Sequence, residues 1–335
     1  MLRSTPAVIR QTLIKKIHAI TKDSFEPVCM ELFRYQANEN QLYKEFLHLL
    51  EIDVADVTCP EEIPCLPIQL FKKYRIRTGT WDVFEVFTSS GTTGSSTSMH
   101  LLRDPNWYRD LSIRGFEKFY GPIEDWCILA LLPAYLERQG SSLIYMAEQF
   151  MQASGHPQNG FYLDNLEDLN RQIIKLRNSD QNVLLLGVSF ALLDFAEQYP
   201  QDLSSFTIME TGGMKGRRQE ITRAELHELL KTAFQTSTIH SEYGMTELLS
   251  QAWSTGQGRF FPSPTMRILL REITDPFSLV RQGRSGLINV IDLANIDTCS
   301  FIATDDLGRL SNDGSFEVLG RLDHSDVRGC NLLVA

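Results

Sequence analysis

The sequence has no dense basic stripe. Its 32 lysines and arginines are outnumbered by 42 aspartates and glutamates, for a formal net charge of −10, which argues against a nucleic-acid partner. It has no apolar run of the roughly 18 residues that a membrane-spanning helix needs, so no span is expected. The opening Met1-Leu2-Arg3-Ser4-Thr5-Pro6 lacks the apolar core of a signal peptide. The six cysteines, at 29, 59, 65, 127, 299 and 330, form no Cys-x-x-Cys pair, so the usual zinc and redox spacings are missing. Cysteines scattered in this way fit a reducing cytoplasm, and a cytoplasmic location is expected. There is no internal repeat and no low-complexity tail.

What is present is a chain of 335 residues, 43% hydrophobic, enough for a sizeable core in one large domain or two smaller ones. It is organised around Phe87-Thr88-Ser89-Ser90-Gly91-Thr92-Thr93-Gly94-Ser95-Ser96-Thr97-Ser98. The β-branched and aromatic run at 83–87 reads as a strand feeding this loop. Glycines let backbone N–H groups approach an anion, and the hydroxyls add donors, so the loop suits nucleotide phosphates. No lysine follows Gly94, so it is not a Walker A loop. The alternative is a flexible Ser/Gly linker.

Val8, Ile9, Leu13 and Ile17 share one helical face, and a second apolar pattern runs from Phe25 through Leu32, Phe33, Leu42, Phe46 and Leu49. Residues 1–80 therefore read as a helical N-terminal subdomain that ends in an extended crossing, Ile63-Pro64-Cys65-Leu66-Pro67. Lys72, Lys73, Arg75 and Arg77 follow as either a solvated basic face or an attraction for an anionic ligand. Asp104-Pro105 reads as an N-cap with proline at the first helical position. Strand-like runs at 127–132, 182–186, 206–210 and 237–241 then alternate with helical patterns at 141–151, 190–198 and 220–234. That alternation predicts an α/β core over 81–256, a largely parallel sheet with helices on its faces. From 257 to 335, strand-like runs at 266–273, 287–293 and 316–319 suggest a smaller β-rich subdomain with Gly-rich turns.

Four polar stretches stand at the ends of these expected strands, where ligands bind in open α/β sheets. The first is the hydroxyl-rich loop. In the second, Glu210-Thr211-Gly212-Gly213-Met214-Lys215-Gly216, paired glycines suit either a flat ring or a plain turn. The third, Ser241-Glu242-Tyr243-Gly244-Met245-Thr246-Glu247, offers a carboxylate for Mg²⁺, or a capping pair at a helix start. The fourth is Ala303-Thr304-Asp305-Asp306-Leu307-Gly308-Arg309 with Gly320-Arg321-Leu322-Asp323. It suits a carboxylate accepting from ribose hydroxyls beside a phosphate-binding arginine, or an acidic hairpin turn.

The order of these four stretches resembles that of the adenylate-forming superfamily of acyl-CoA synthetases, adenylation domains and luciferases, over residues 84–329. Ile63-Pro64-Cys65-Leu66-Pro67, the tract Leu131-Leu132-Pro133-Ala134-Tyr135-Leu136-Glu137-Arg138-Gln139-Gly140-Ser141-Ser142 and the ending Arg328-Gly329-Cys330 resemble the LuxE family of acyl-protein synthetases. The resemblance implies an α/β fold of the adenylate-forming N-terminal-domain type, mostly parallel sheets flanked by helices plus a small β-rich subdomain. The superfamily's C-terminal domain and its lysine are expected to be absent. Thr88, Ser89, Ser90, Gly91, Thr92, Thr93 and Gly94 would cradle ATP phosphates, chiefly through Thr92 and Thr93. Gly212 and Gly213 would flank the adenine, with Tyr243 of the Tyr243-Gly244 pair stacked on it. Thr246 would touch the α-phosphate and Glu247 would hold Mg²⁺. Asp306 would bind the ribose and Arg321 ribose or phosphate; Asp305 stands where the larger family usually has glycine.

The implied reaction joins a carboxylic acid, fatty by resemblance, to ATP, giving acyl-adenylate and pyrophosphate. The acyl group then passes to a thiol, Cys330 by the same resemblance, and onward to a partner such as an acyl-CoA/acyl-protein reductase or a carrier protein. The stretch Leu186-Gly187-Val188-Ser189-Phe190-Ala191-Leu192 is either the acyl pocket or ordinary core. Two other readings stand beside this one: a ligase that acylates CoA or a carrier protein, and a non-catalytic nucleotide-binding subunit.

Overall fold

A computed structural model describes residues 5–89, 97–133, 140–163, 165–214, 217–280 and 283–322. Three helices open it, α1 (Pro6–His18), α2 (Phe25–Glu39) and α3 (Gln41–Leu49). Pro6 starts α1 at a position whose N–H has no helical partner to lose, and the Asn40 side chain caps α3 by accepting from Tyr43 N at 3.0 Å. These helices pack on the buried segment at 293–300 through polar anchors. Gln36 donates to the carbonyls of Asn295 and Ile296 and accepts from Ser300 N, and Arg10 grips both Asp297 oxygens at 2.6 Å.

β1 (Leu66–Pro67) leads to a hairpin of β2 (Glu85–Thr88) and β3 (Met99–Leu102), which forms a separate two-stranded sheet. The expected strand before the hydroxyl-rich loop is there, and it pairs antiparallel with β3, which follows the loop in the chain. β3 was not expected, because four residues carry too short a pattern to read. Asp104 then caps α4 (Pro105–Tyr120) as predicted, accepting from Asn106 N at 3.0 Å.

The α/β alternation follows as β4 (Trp126–Leu131), α5 (Ser142–Ser154), β5 (Gly160–Tyr162), α6 (Leu166–Leu176), β6 (Asn182–Val188) and α7 (Ser189–Gln198). It continues as β7 (Thr207–Thr211), α8 (Arg223–Phe234) and β8 (His240–Tyr243). β4 and β6 are buried on both faces, so they read in sequence as unbroken apolar runs. The remaining strands are β9 (Ala252–Ser254), β10 (Arg259–Pro262), β11 (Met266–Arg271), β12 (Ser285–Asp292), β13 (Phe301–Leu310) and β14 (Phe316–Arg321).

One sheet carries the order β11-β12-β13-β14-β10-β9-β8-β7-β6-β4-β5, with β1 alongside β13. Pairing is parallel from β5 to β8 and antiparallel from β8 to β11. The parallel half matches the expected α/β core, and β10 continues the sheet directly from β9. Asp305 and Asp306 lie inside the ten-residue strand β13, not at a hairpin turn. Among the described residues no helix is long and apolar enough to cross a membrane.

Candidate active site

The C-terminal ends of β7 and β8 open onto a cleft of about 1310 Å³, whose other walls come from the β2–β3 hairpin, α5, β13 and β14. Members of all four polar stretches meet there: Thr88 and Ser89; Thr211, Gly212 and Gly213; Tyr243 through Glu247; and Asp305, Asp306 and Arg321. Gly212 has φ +70°, a left-handed conformation that favours glycine, just where β7 ends. Ser90, Gly91, Thr92, Thr93, Gly94 and Cys330 lie outside the described residues, as do Lys215 and Gly216. The base of the hydroxyl-rich loop is closed by Ser89 N donating to Ser98 O at 3.1 Å and Ser98 N donating to Ser89 Oγ at 2.9 Å.

Tyr243 sits on Phe260 and Phe316, with ring centroids 5.9 and 5.4 Å away. Its hydroxyl donates to Asp306 Oδ2 at 2.9 Å. Arg321 is directly across the β13–β14 ladder from Asp306, its Nε 3.6 Å from Oδ1. Burial pushes the Asp306 carboxyl up, against the opposing pull of Arg321 and the Tyr243 hydroxyl. Asp305 is engaged differently: Gln69 Nε2 donates to both of its oxygens, at 2.6 and 2.7 Å.

The segment after Tyr243 is irregular, and the side chains of three residues, His100, Asn295 and Asp292, hold it in place. His100 Nδ1 lies 2.8 Å from the Thr246 carbonyl, and His100 Nε2 lies 3.0 Å from Thr298 Oγ1. A carbonyl only accepts, so Nδ1 carries the proton and Nε2 accepts from Thr298. Burial pushes His100 down to about 4, consistent with that neutral tautomer. Asn295 Nδ2 donates to Glu247 O at 2.8 Å, and Asp292 Oδ2 accepts from Leu249 N and Ser250 N at 2.8 and 2.9 Å. Glu247 is thereby fixed with its carboxyl largely buried. Burial raises it, while a hydrogen bond from Ser98 and the charges of Arg321 and Lys72 favour its ionised form.

Of the basic residues weighed as a solvated face or an attraction for an anionic ligand, Lys72 lines the cleft, whereas Lys73, Arg75 and Arg77 are exposed outside it. Two further cleft features were not expected. Glu210 is buried beside Arg223, at 3.0 Å, and His227, at 3.5 Å. Burial acts to raise it, but His227, Arg223 and Ser241 hold it below the usual carboxylate range. Glu242 is also buried, with Oε2 accepting from Thr211 Oγ1 at 2.5 Å. Burial chiefly, with the nearby Glu210 charge, pushes Glu242 up to about 7. Neither glutamate has a local signal that separates it from a surface acid. In the stretch weighed as an acyl pocket, Ser189 and Phe190 reach the cleft, while Leu186, Val188 and Leu192 are core.

This is the fold of the N-terminal domain of adenylate-forming enzymes. It is similar to ATP-bound MatB from Rhodopseudomonas palustris, with a TM-score of 0.54 at 16% identity over 72% of this chain and 49% of that one. It is also similar to an open form of 2-hydroxyisobutyryl-CoA ligase in complex with 2-HIB-AMP and CoA. There the TM-score is 0.65 at 10% identity over 88% of this chain and 73% of that one. The chain thus spans about half the length of the MatB chain. In sequence it is similar to the long-chain-fatty-acid–luciferin-component ligase of Aliivibrio fischeri, 24% identical over 94% of this chain and 88% of the relative. The resemblance to LuxE-type ligases within the adenylate-forming superfamily is borne out by these likenesses. No family model matches the chain.

Proposed function

We propose that the protein is an adenylate-forming ligase that activates a carboxylic acid with ATP and passes the acyl group to a thiol. The observation that carries this is the meeting of the Tyr243–Asp306–Arg321 group with Thr88, Ser89, Thr246 and Glu247 in one cleft. The cleft fits a nucleotide: an aromatic ring, a carboxylate for ribose hydroxyls, cations in Lys72 and Arg321, and room for a second substrate. ATP would supply the adenylyl group: the carboxylate would attack the α-phosphorus, pyrophosphate would leave, and the resulting acyl-adenylate would be a reactive mixed anhydride.

In this reading Tyr243 would hold the adenine and Asp306 the ribose, with Arg321 neutralising charge beside it. Thr88, Ser89 and the loop residues Ser90 to Gly94 would receive the phosphates, and Thr246 the α-phosphate, steadied through its backbone by His100. Fixed donors stabilise charge as pyrophosphate departs. Among the described residues no group of three or more His, Cys, Asp or Glu could hold a metal ion. Mg²⁺ would therefore be held by Glu247 with phosphate oxygens and water, an oxygen environment that suits it.

For the second half-reaction, Cys330 would attack the adenylate's acyl carbon as thiolate, forming a thioester and releasing AMP. None of the five described cysteines lines the cleft, and burial pushes Cys127 up to about 11 and Cys299 up to about 12. That supports a thiol from elsewhere in the chain or from a partner protein. The test is ATP–pyrophosphate exchange over a panel of fatty and aromatic acids, followed by labelling with radioactive acid. Wild type is expected to exchange and to form a hydroxylamine-labile thioester, and Cys330→Ser to exchange without forming it. Absence of exchange with every acid overturns the adenylation reading; acylation of free CoA alone moves the acceptor outside the chain.

A further inference from the structure

Two residues outside all four polar stretches tie the Thr246 segment to the N-terminal helices. His100 is on β3, and Thr298 is in the segment at 293–300. Neither lines the cleft. Both are 1% exposed, so water does not stand in for a bond lost at either. The Thr298 backbone is held on both sides. Its carbonyl accepts from Asn40 Nδ2 at 2.8 Å and from Thr78 Oγ1 at 2.6 Å, and its N–H donates to Asn295 O at 3.0 Å. That fixes the place of its hydroxyl, 3.0 Å from His100 Nε2. Phe71 packs edge-on against the His100 ring, with centroids 5.8 Å apart. On the other side of the ring, Nδ1 meets Thr246 O at 2.8 Å. That carbonyl only accepts, so Nδ1 carries the proton, Nε2 is a bare acceptor, and the Thr298 hydroxyl must donate to it. The donors thus run in one direction, from Thr298 to His100 to Thr246. The next carbonyl, Glu247 O, is held from the same segment by Asn295 Nδ2 at 2.8 Å.

We propose that Thr298 is a positioning residue for the phosphate end of the cleft: its hydroxyl holds His100 in the tautomer and orientation that fix the Thr246 backbone. The inference rests on the reading that Thr246 meets the α-phosphate of ATP, and it adds a residue that touches no substrate. Without the hydroxyl, the Nδ1–H tautomer would leave Nε2 a buried acceptor with no donor. That penalty outweighs what one hydrogen bond to Thr246 returns, so the ring would change tautomer or orientation and release the carbonyl. In the opposite tautomer a lone pair on Nδ1 would face the carbonyl oxygen and repel it. Thr246 would then lose its fixed geometry, and a donor held in place beforehand is what stabilises developing charge. Burial keeps His100 neutral, pushed down to about 4, so the chain of donors is intact around neutral pH. The N-terminal helices thereby act on the cleft at one remove, since Asn40, which caps α3, also holds the Thr298 carbonyl.

The experiment compares Thr298→Val, which keeps the shape and removes the hydroxyl, with Thr298→Ser, which keeps the hydroxyl. Each is measured for ATP–pyrophosphate exchange, for Mg-ATP affinity by calorimetry, and for Tm. The His100 tautomer is read by NMR of the labelled imidazole nitrogens in the full chain. Wild type is expected to show the Nδ1–H tautomer. Thr298→Val should lower kcat for exchange about tenfold, with little change in the KM for the acid, and Thr298→Ser should recover most of that loss. A second pair separates positioning from folding. His100→Asn places an amide N–H where Nδ1–H stood, and His100→Gln places one near Nε2. Each removes the ring and one bond, so their losses in Tm should be similar, but His100→Gln should lose several-fold more kcat. An Nε2–H tautomer in wild type, a Thr298→Val rate equal to wild type, or equal kcat losses in His100→Asn and His100→Gln overturn the proposal. Wild type that exchanges with no acid overturns the adenylation reading instead. The positioning role is then decided by the tautomer and by an about tenfold loss of Mg-ATP affinity in Thr298→Val that Thr298→Ser restores.

Discussion

The Tyr243 hydroxyl donates to Asp306 at 2.9 Å, tying the tip of one strand to the middle of another 63 residues further along the chain. The bond aims Asp306 into the cleft, whereas its neighbour Asp305 is engaged by Gln69. Asp306→Asn is therefore expected to raise the KM for ATP by about tenfold or more, with a smaller effect on the KM for the acid. Asp305→Asn should do less. Steady-state exchange kinetics on both variants check this, and a larger effect from Asp305→Asn would reverse the assignment.

Glu247→Ala should lower the exchange rate by about tenfold or more and weaken its dependence on magnesium concentration. Burial already disfavours the Glu247 charge, so the folded protein should survive its loss with little change in Tm. A magnesium titration of the exchange rate, with a melting curve beside it, is the measurement. An unaltered titration curve would remove Glu247 from the metal site.

Glu242 gives a pH-dependent stability. Its carboxyl is raised from 4.5 to about 7, so the folded state holds a proton more tightly than the unfolded chain. The group's contribution is fully present below pH 4.5 and is lost as pH rises through about 7. Relative to wild type, Glu242→Gln should gain roughly 1–3 kcal/mol at pH 8, and the gain should shrink towards pH 5. Urea unfolding of both proteins at the two pH values decides it; a gain independent of pH contradicts the raised carboxyl.

Asp297 is gripped by Arg10 through two 2.6 Å bonds and approached by Arg103 at 3.1 Å, with its side chain only 10% exposed. Asp297→Ala would leave the Arg10 charge buried without its partner. A loss of about 3–5 kcal/mol is expected in urea unfolding. A double variant that also replaces Arg10 with methionine should recover part of it; no recovery would show that the cost lies elsewhere.

Local physics made part of this protein legible in its sequence. Asp104-Pro105 announced α4 because a cap and a proline act on the nearest backbone groups. The apolar runs of β4 and β6 announced buried parallel strands because both of their faces are covered. The order of the four polar stretches resembles that of the adenylate-forming superfamily, and the fold bears that resemblance out. Only the tertiary structure set Asp306 within β13 opposite Arg321, paired β2 with β3 on either side of the hydroxyl-rich loop, and brought His100 to the Thr246 carbonyl across 146 residues. It alone distinguished Glu210 and Glu242 from surface acids. The reason is that burial and long-range hydrogen bonds belong to the surroundings of a residue, and those surroundings come from elements whose sequences carry no mark of the contact.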